Sequence, residues 1–203
     1  MQPASIAKSK AVWSKGKMSV QVARRYFNVT EFYRMAAAGV FTEDDRVELI
    51  EGEILEMSPI GSRHASCVGR LTELFGRQVG SRTIVWVQNP IRLDDYSEPL
   101  PDITLLKRRA DFYAEKHPTQ VDVLLIVEVA DTSVDYDRNI KLPIYAQANI
   151  PEVWLVNLPK NIVEVYTRPG DGKYQKSRRL KRGELLVSTQ ISDLSISIDE
   201  VLG

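Results

Sequence analysis

The sequence predicts an α/β fold of the mixed α+β type, in which helices cover a central sheet. The apolar run Val123-Leu124-Leu125-Ile126-Val127 reads as a central strand covered on both faces, and helices are the usual cover. A helical pattern at 139–148 stands between that run and a strand pattern at 152–157, which makes a βαβ-like unit. From residue 162 onward the chain is rich in short strand patterns. Ligands of such sheets tend to lie beyond the carboxyl ends of the strands.

Residues 1–19 hold Lys8, Lys10, Lys15 and Lys17 without apolar periodicity, so they have little to bury. They are expected to form a disordered basic extension, with Met18 an alternative start of translation, and 20–203 a single domain. A nucleic-acid-binding arm is the sharper but less favoured reading. Asn28 with Glu31 three residues later has the form of a reciprocal helix cap, and Phe32, Met35 and Ala36 supply an apolar stripe that Gly39 can end. The pattern at 47–57 is strand-like, with Val47, Leu49, Leu55 and Met57 on one parity and Gly52 at a hairpin or bulge.

Ser62 is placed to cap a second helix with the stripe Ala65, Val68, Leu71, Leu74 and Phe75, closed by Gly76 or Gly80. Strands follow at 83–88, 102–106 and 121–130. The helix at 139–148 carries Pro143, which is tolerated in a first turn, so a late start is expected. Strands at 162–168 and 174–180 flank the turn Pro169-Gly170-Asp171-Gly172 as a hairpin, and 185–187 and 195–198 close the chain as short strands.

The 203 residues are 43% hydrophobic, and 27 Lys+Arg balance 27 Asp+Glu. Cys67 is the only cysteine, which excludes an intramolecular disulfide or a thiolate zinc site and agrees with a cytoplasmic location. No apolar stretch approaches the ~18 residues that span a bilayer, and no apolar core precedes a cleavage site, so neither a membrane partner nor a secretory signal is expected. Zero net charge provides no global field to attract nucleic acid, so such binding would rest on a local basic patch or a bound metal. The densest basic run, Lys176, Arg178, Arg179, Lys181 and Arg182, is better read as a solvated edge strand than as a phosphate-binding face. Trp86 and Trp154 fall in strand patterns and read as core residues.

Glu128 ends the VLLIV run, where a buried charge is costly without a cation or partner. Asp102, after Pro101 at the start of its own strand, offers a second carboxylate, and two convergent acids make an oxygen-rich site for Mg²⁺. Lys141, on the following helix, can bring an ammonium group to the same place. Metal and ammonium together suit phosphoryl chemistry. The competing reading is a strand-end salt bridge between Glu128 and Lys141, and spacing alone favours it. His64 is as readily a helix residue satisfied by a nearby acid as a functional one, and the competing reading of Glu53 is a strand-face acid paired with Arg63, Arg70 or another base. Asp131, Asp135 and Asp137 read first as turn and cap residues.

The stretches ELIEGEILEMSP (48–59), IRLDDYSEPLPDITLLK (91–107), VEVADTSVDYDRNIKLPIYAQANIPEVWLVN (127–157) and VEVYTRPGDGKY (163–174) resemble the Uma-two family of bacterial proteins classed as endonucleases. The resemblance runs from about Val20 to the C-terminus. It implies a restriction-endonuclease-like core of the PD-(D/E)xK type, αβββαβ, with a central mixed sheet flanked by helices and additional C-terminal hairpin strands. It further implies that Pro101-Asp102 is the Pro-Asp element and Glu128 the following acid. Ala130 occupies the usual Lys position, and Lys141 in NIKLPIY is the matching base, with Tyr145 one turn later on the same face. The implied activity is metal-dependent hydrolysis of phosphodiester bonds, in DNA first. Mg²⁺, or Mn²⁺, would be held by Asp102, Glu128 and the Val129 carbonyl. Lys141 would support the attacking water, with Glu53 and His64 assisting. A homodimer would suit cleavage of two strands. The alternative is a weakly active or inactive nucleic-acid or protein interaction module on the same fold.

Overall fold

Asn28 caps the first helix as the sequence predicts. Its side chain accepts from the Glu31 amide at 2.9 Å, and the Glu31 carboxylate accepts from the Asn28 amide at 3.1 Å, which opens α1 (Val29–Ala37). The structure, a computed structural model, describes residues 23–42 and 44–203, so the extension expected at 1–19 lies outside the described residues. The inward residues of α1 are Val29 and Phe32, packed on Leu49, whereas Ala36 faces out.

β1 (Val47–Ile50) and β2 (Glu53–Glu56) form the expected hairpin. Both turn residues are left-handed, Glu51 at φ 49° and Gly52 at φ 82°, as the twist of a two-residue hairpin requires. The Phe27 amide donates to the Gly52 carbonyl at 2.9 Å, laying the chain before α1 across the turn. In α2 (Ser62–Gln78) Ser62 is the first helical residue rather than the cap; Gly61 holds the cap position without a side-chain bond. Cys67, Val68, Leu71, Leu74 and Phe75 face inward, Ala65 faces out, and Gly76 is helical.

Six strands make the central sheet: β3 (Thr83–Val87), β4 (Ile103–Lys107), β5 (Val123–Ala130), β6 (Glu152–Asn157), β7 (Ile162–Gly170) and β8 (Lys173–Lys181), in that spatial order. β5 and β6 are parallel and every other neighbour is antiparallel, so the sheet is mixed. Alternation along β5 sends Leu125 and Val127 to the face under α2, with Phe75 and Trp154, and Ile126 to the other face, with Tyr145 and Leu155. Trp154 is fully buried, and β8, the edge strand, exposes Lys176, Arg178, Arg179 and Lys181. Charges on that rim discourage pairing with another chain.

The crossover helix α3 begins early, not late. It runs through Val134–Tyr136, a π-helical turn at Asp137–Lys141, and Leu142–Gln147. Pro143 does not set its start because it follows the π turn, where the Leu142 amide bonds to the Asp137 carbonyl and the widened backbone makes room for the ring. After β9 (Leu185–Val187) and β10 (Ser195–Ser197) the chain enters a helix, α4 (Ile198–Leu202), where only strand was expected. Ser197 and Glu200 cap it reciprocally, and the Arg70 guanidinium of α2 donates to the carbonyls of Val201 and Leu202. Among the described residues no helix is long and apolar enough to cross a membrane.

A methyl group on Gly52 would lie 2.7 Å from the Tyr26 Cβ, whereas one on Gly39, also left-handed at φ 76°, would meet nothing within 4 Å. Gly39→Ala is therefore expected to cost about 1 kcal/mol from backbone strain alone, and Gly52→Ala clearly more. Urea unfolding of the two variants checks this, and equal losses would show that the 26–27 segment does not press on the turn.

Candidate active site

Where β4 and β5 stop pairing, side chains complete the ladder. Ile103 stands opposite Val127, which places Pro101, with no N–H to donate, opposite Val129. The Val129 amide donates to Asp102 Oδ2 at 2.8 Å, and the Asp102 amide to Glu128 Oε2 at 3.3 Å. Both acids are thereby fixed side by side at the mouth of the parallel strand. In an extended strand a residue's carbonyl points to the same side as its amide, so the Val129 carbonyl faces the Asp102 side of β5.

α3 brings Lys141 and Tyr145 down on Glu128. Tyr145 donates its hydroxyl to Glu128 Oε1 at 2.5 Å, and Lys141 Nζ lies 3.3 Å from the same oxygen. Lys141 also lies 3.3 Å from Glu48 Oε2 on β1. Glu48 in turn accepts from the Leu100 amide at 3.1 Å and the Tyr136 hydroxyl at 3.0 Å. The Asp137 carboxylate accepts from Ser133 Oγ at 2.6 Å. From the first turn of α2, His64 Nε2 reaches Asp102 Oδ1 at 2.8 Å, with Gln88 Nε2 at 3.3 Å from that oxygen.

Glu48, Asp102, Glu128 and Asp137 are 2%, 7%, 3% and 4% exposed, and the one ammonium group among them, Lys141, is 3% exposed. Burial raises the Glu128 carboxyl well above the usual range, although Lys141 pulls it back, and burial likewise raises Asp137. Burial alone would lower Lys141, but Glu128, Glu48 and Asp137 outweigh it and hold the amine above its ordinary value. His64 is raised, first by its hydrogen bond to Asp102, with a smaller contribution from the Val129 backbone.

Four buried carboxyl groups are set against Lys141 and His64, and a divalent cation would offset the cost of ionising them that pushes Glu128 and Asp137 toward their protonated forms. Among the described residues no three His, Cys, Asp or Glu side chains form a ready metal cage. Two carboxylates and a carbonyl nevertheless fit Mg²⁺, which keeps much of its water and takes few protein oxygens. A cavity of about 540 Å³ opens onto the group, with Met57, Pro59 and Ile60 at its rim.

The structure thus gathers Asp102, Glu128, Val129, Lys141 and His64, and leaves out Glu53. Glu53 sits at the turn end of the hairpin, opposite Ile50, where it is exposed and pairs with Arg24 at 3.0 Å. Glu48, at the other end of β1, occupies the place expected of it. A carboxylate between Val47 and Leu49 in an apolar strand was the available signal. Asp137, read as a turn residue, is also part of the group, and Asp131, read likewise as a turn or cap residue, lines the cavity and pairs with Arg63 at 3.3 Å. The basic run on β8 lies at the edge of the sheet, away from β5.

Residues 29–199 match the model of the Uma2 family, described as "Putative restriction endonuclease". Among solved structures the chain is similar to a putative nuclease belonging to DUF820 from Anabaena variabilis ATCC 29413, with a TM-score of 0.68 at 16% sequence identity, over 87% of this chain and 97% of that one. At that identity the likeness is one of fold. No curated protein matches the sequence.

Replacing Lys141 by Ala strands Glu48 and Glu128 without their shared cation, and is expected to lower stability at neutral pH by roughly 3–5 kcal/mol. Glu53→Gln, by contrast, should stay within about 0.5 kcal/mol of the unmodified protein. Denaturant titration of both variants distinguishes a buried ionic group from a surface one.

Proposed function

The chain belongs to the Uma2 family, whose fold and description support a nuclease-type activity, and on that premise we propose that it is a metal-dependent endonuclease that hydrolyses phosphodiester bonds in DNA. The observation that carries this reading is the convergence of Asp102, Glu128 and Lys141, from three separate elements, on one open cavity where buried carboxyl groups outnumber the cations. Asp102, Glu128 and the Val129 carbonyl are the oxygens that would hold Mg²⁺ or Mn²⁺. A metal there supplies polarisation of the scissile phosphate and a bound water of lowered pKa.

The chain's own groups do the rest. Lys141, fixed between Glu128 and Glu48, orients the attacking water and stabilises the charge that develops on the phosphate. Tyr145 aims the Glu128 carboxylate, and His64 aims that of Asp102. Glu48 takes the supporting role expected of Glu53. Cutting both strands of a duplex calls for two such sites, which a two-fold dimer would provide. The second reading, an interaction module on the same fold, is favoured by one observation: every oxygen of Asp102 and Glu128 already accepts a hydrogen bond from the protein.

Supercoiled plasmid and short DNA and RNA substrates, incubated with Mg²⁺, Mn²⁺ or EDTA, test the proposal. Cleavage of DNA should require the metal and fall by about 10²-fold or more in Asp102→Ala, Glu128→Gln and Lys141→Ala, each assayed below its unfolding transition. A wild-type protein that cuts nothing, or variants that cut equally well, would put the interaction module first.

A further inference from the structure

On the other side of β1 from the catalytic group lies a second cavity, of about 720 Å³, that shares no lining residue with the first. α1 contributes Tyr33 and Arg34, the β3–β4 connection contributes Arg92 and Glu98, and the segment before β5 contributes Lys116 and His117. We propose that this cavity binds a guanine nucleotide, free or within a nucleic-acid strand. The inference stands independently of the nuclease reading.

Three features of the cavity define the ligand. Glu98 is 2% exposed and accepts the Tyr33 hydroxyl on Oε1, while among the described residues its Oε2 meets no donor and no cation pairs with it. A buried carboxylate with a vacant oxygen calls for N–H donors from a ligand. Beside it the rings of Tyr33 and His117 are stacked, with centroids 6.1 Å apart and planes tilted by 23°, which provides a flat wall for a planar ring. At the mouth Arg34 and Lys116 are exposed and have no carboxylate partner among the described residues, whereas Arg92 is tied to Asp95 at 2.8 Å.

The ligand must therefore be flat and neutral inside, offer donors to Glu98, and be anionic outside. A nucleotide has that layout. Among the bases, guanine sets a ring N–H and an exocyclic amine side by side on one edge, which matches a carboxylate, whereas adenine and cytosine present a ring acceptor beside their amine. Asp94 and Asp95 also line this cavity, but Asp95 is tied to Arg92, so Arg34 and Lys116 outnumber the one remaining exposed carboxylate, which disfavours a cationic ligand and suits a phosphate.

Calorimetric titration in EDTA, with GMP set against AMP, CMP and UMP, tests the assignment. Saturable binding should favour GMP, weaken about tenfold or more in Glu98→Gln, and weaken several-fold in Lys116→Ala. Lys181→Ala, which removes the same charge from the far end of the edge strand β8, should leave binding unchanged. Guanosine should be insensitive to Lys116→Ala, because it lacks the phosphate. A short thymidine oligonucleotide carrying one guanine distinguishes the source: binding of the oligonucleotide without binding of GMP, but with the same dependence on Glu98 and Lys116, assigns the pocket to a strand. Failure of both ligands to saturate, equal affinity for all four nucleotides, or indifference to both substitutions would overturn the proposal. If Glu98→Gln does not fold, the Lys116→Ala comparison between GMP and guanosine decides.

Discussion

One ammonium group holds the working end of this molecule together. Lys141 comes from the crossover helix and touches carboxylates from two other elements, Glu48 of the hairpin and Glu128 of the central strand. None of the three is exposed by more than 3%. Moving any of them into a dry interior alone would be prohibitive, so each element's docking depends on the other two. The hairpin, the sheet and the helix are thus joined by charge at one end, and beside it by apolar packing, since Ile50 of the hairpin shares a buried cluster with Ile126 and Leu155 of the sheet and Leu142 and Tyr145 of the helix.

The helix that carries Lys141 is shaped to this task. A π turn puts residues five apart on one side, and Lys141 Nζ accordingly lies 5.8 Å from the centre of the Tyr136 ring. Tyr136 binds Glu48, Tyr145 binds Glu128, and Lys141 sits between them. One short helix therefore orients both partners of its own lysine.

Much of this was legible in the chain. The Asn28–Glu31 cap, the Gly52 turn and the covered VLLIV strand follow from local rules that the tertiary structure leaves intact, whereas the grouping of Asp102, Glu128 and Lys141 rested on the family resemblance, because spacing alone favours no more than a Glu128–Lys141 ion pair. Glu48 was hidden because parity identifies a core face only when the other face is wet. In β1 the residues Glu48, Leu49 and Ile50 are all buried, so alternation there says nothing about which side matters. Asp137 was hidden by its own chemistry: aspartate near a strand end usually makes a turn, and only packing against the sheet turns it inward. The early start of α3 was hidden for a related reason, since the π turn that accommodates Pro143 has no sequence signature of its own. α4 is five residues long, too short for periodicity to separate it from the strand before it.

The short stretch from Glu98 to Leu100 gives the two cavities a common wall. The Glu98 amide is fastened to the Leu49 carbonyl at 2.7 Å, and the Leu100 amide to Glu48. Glu98 faces one chamber, and Leu100 lines the other. Because the Leu100 amide is bonded to Glu48, a displacement of this wall would reach the carboxylate that steadies Lys141. Any resulting change in affinity would have to be mutual, the inner chamber altering the outer by the same factor as the outer alters the inner.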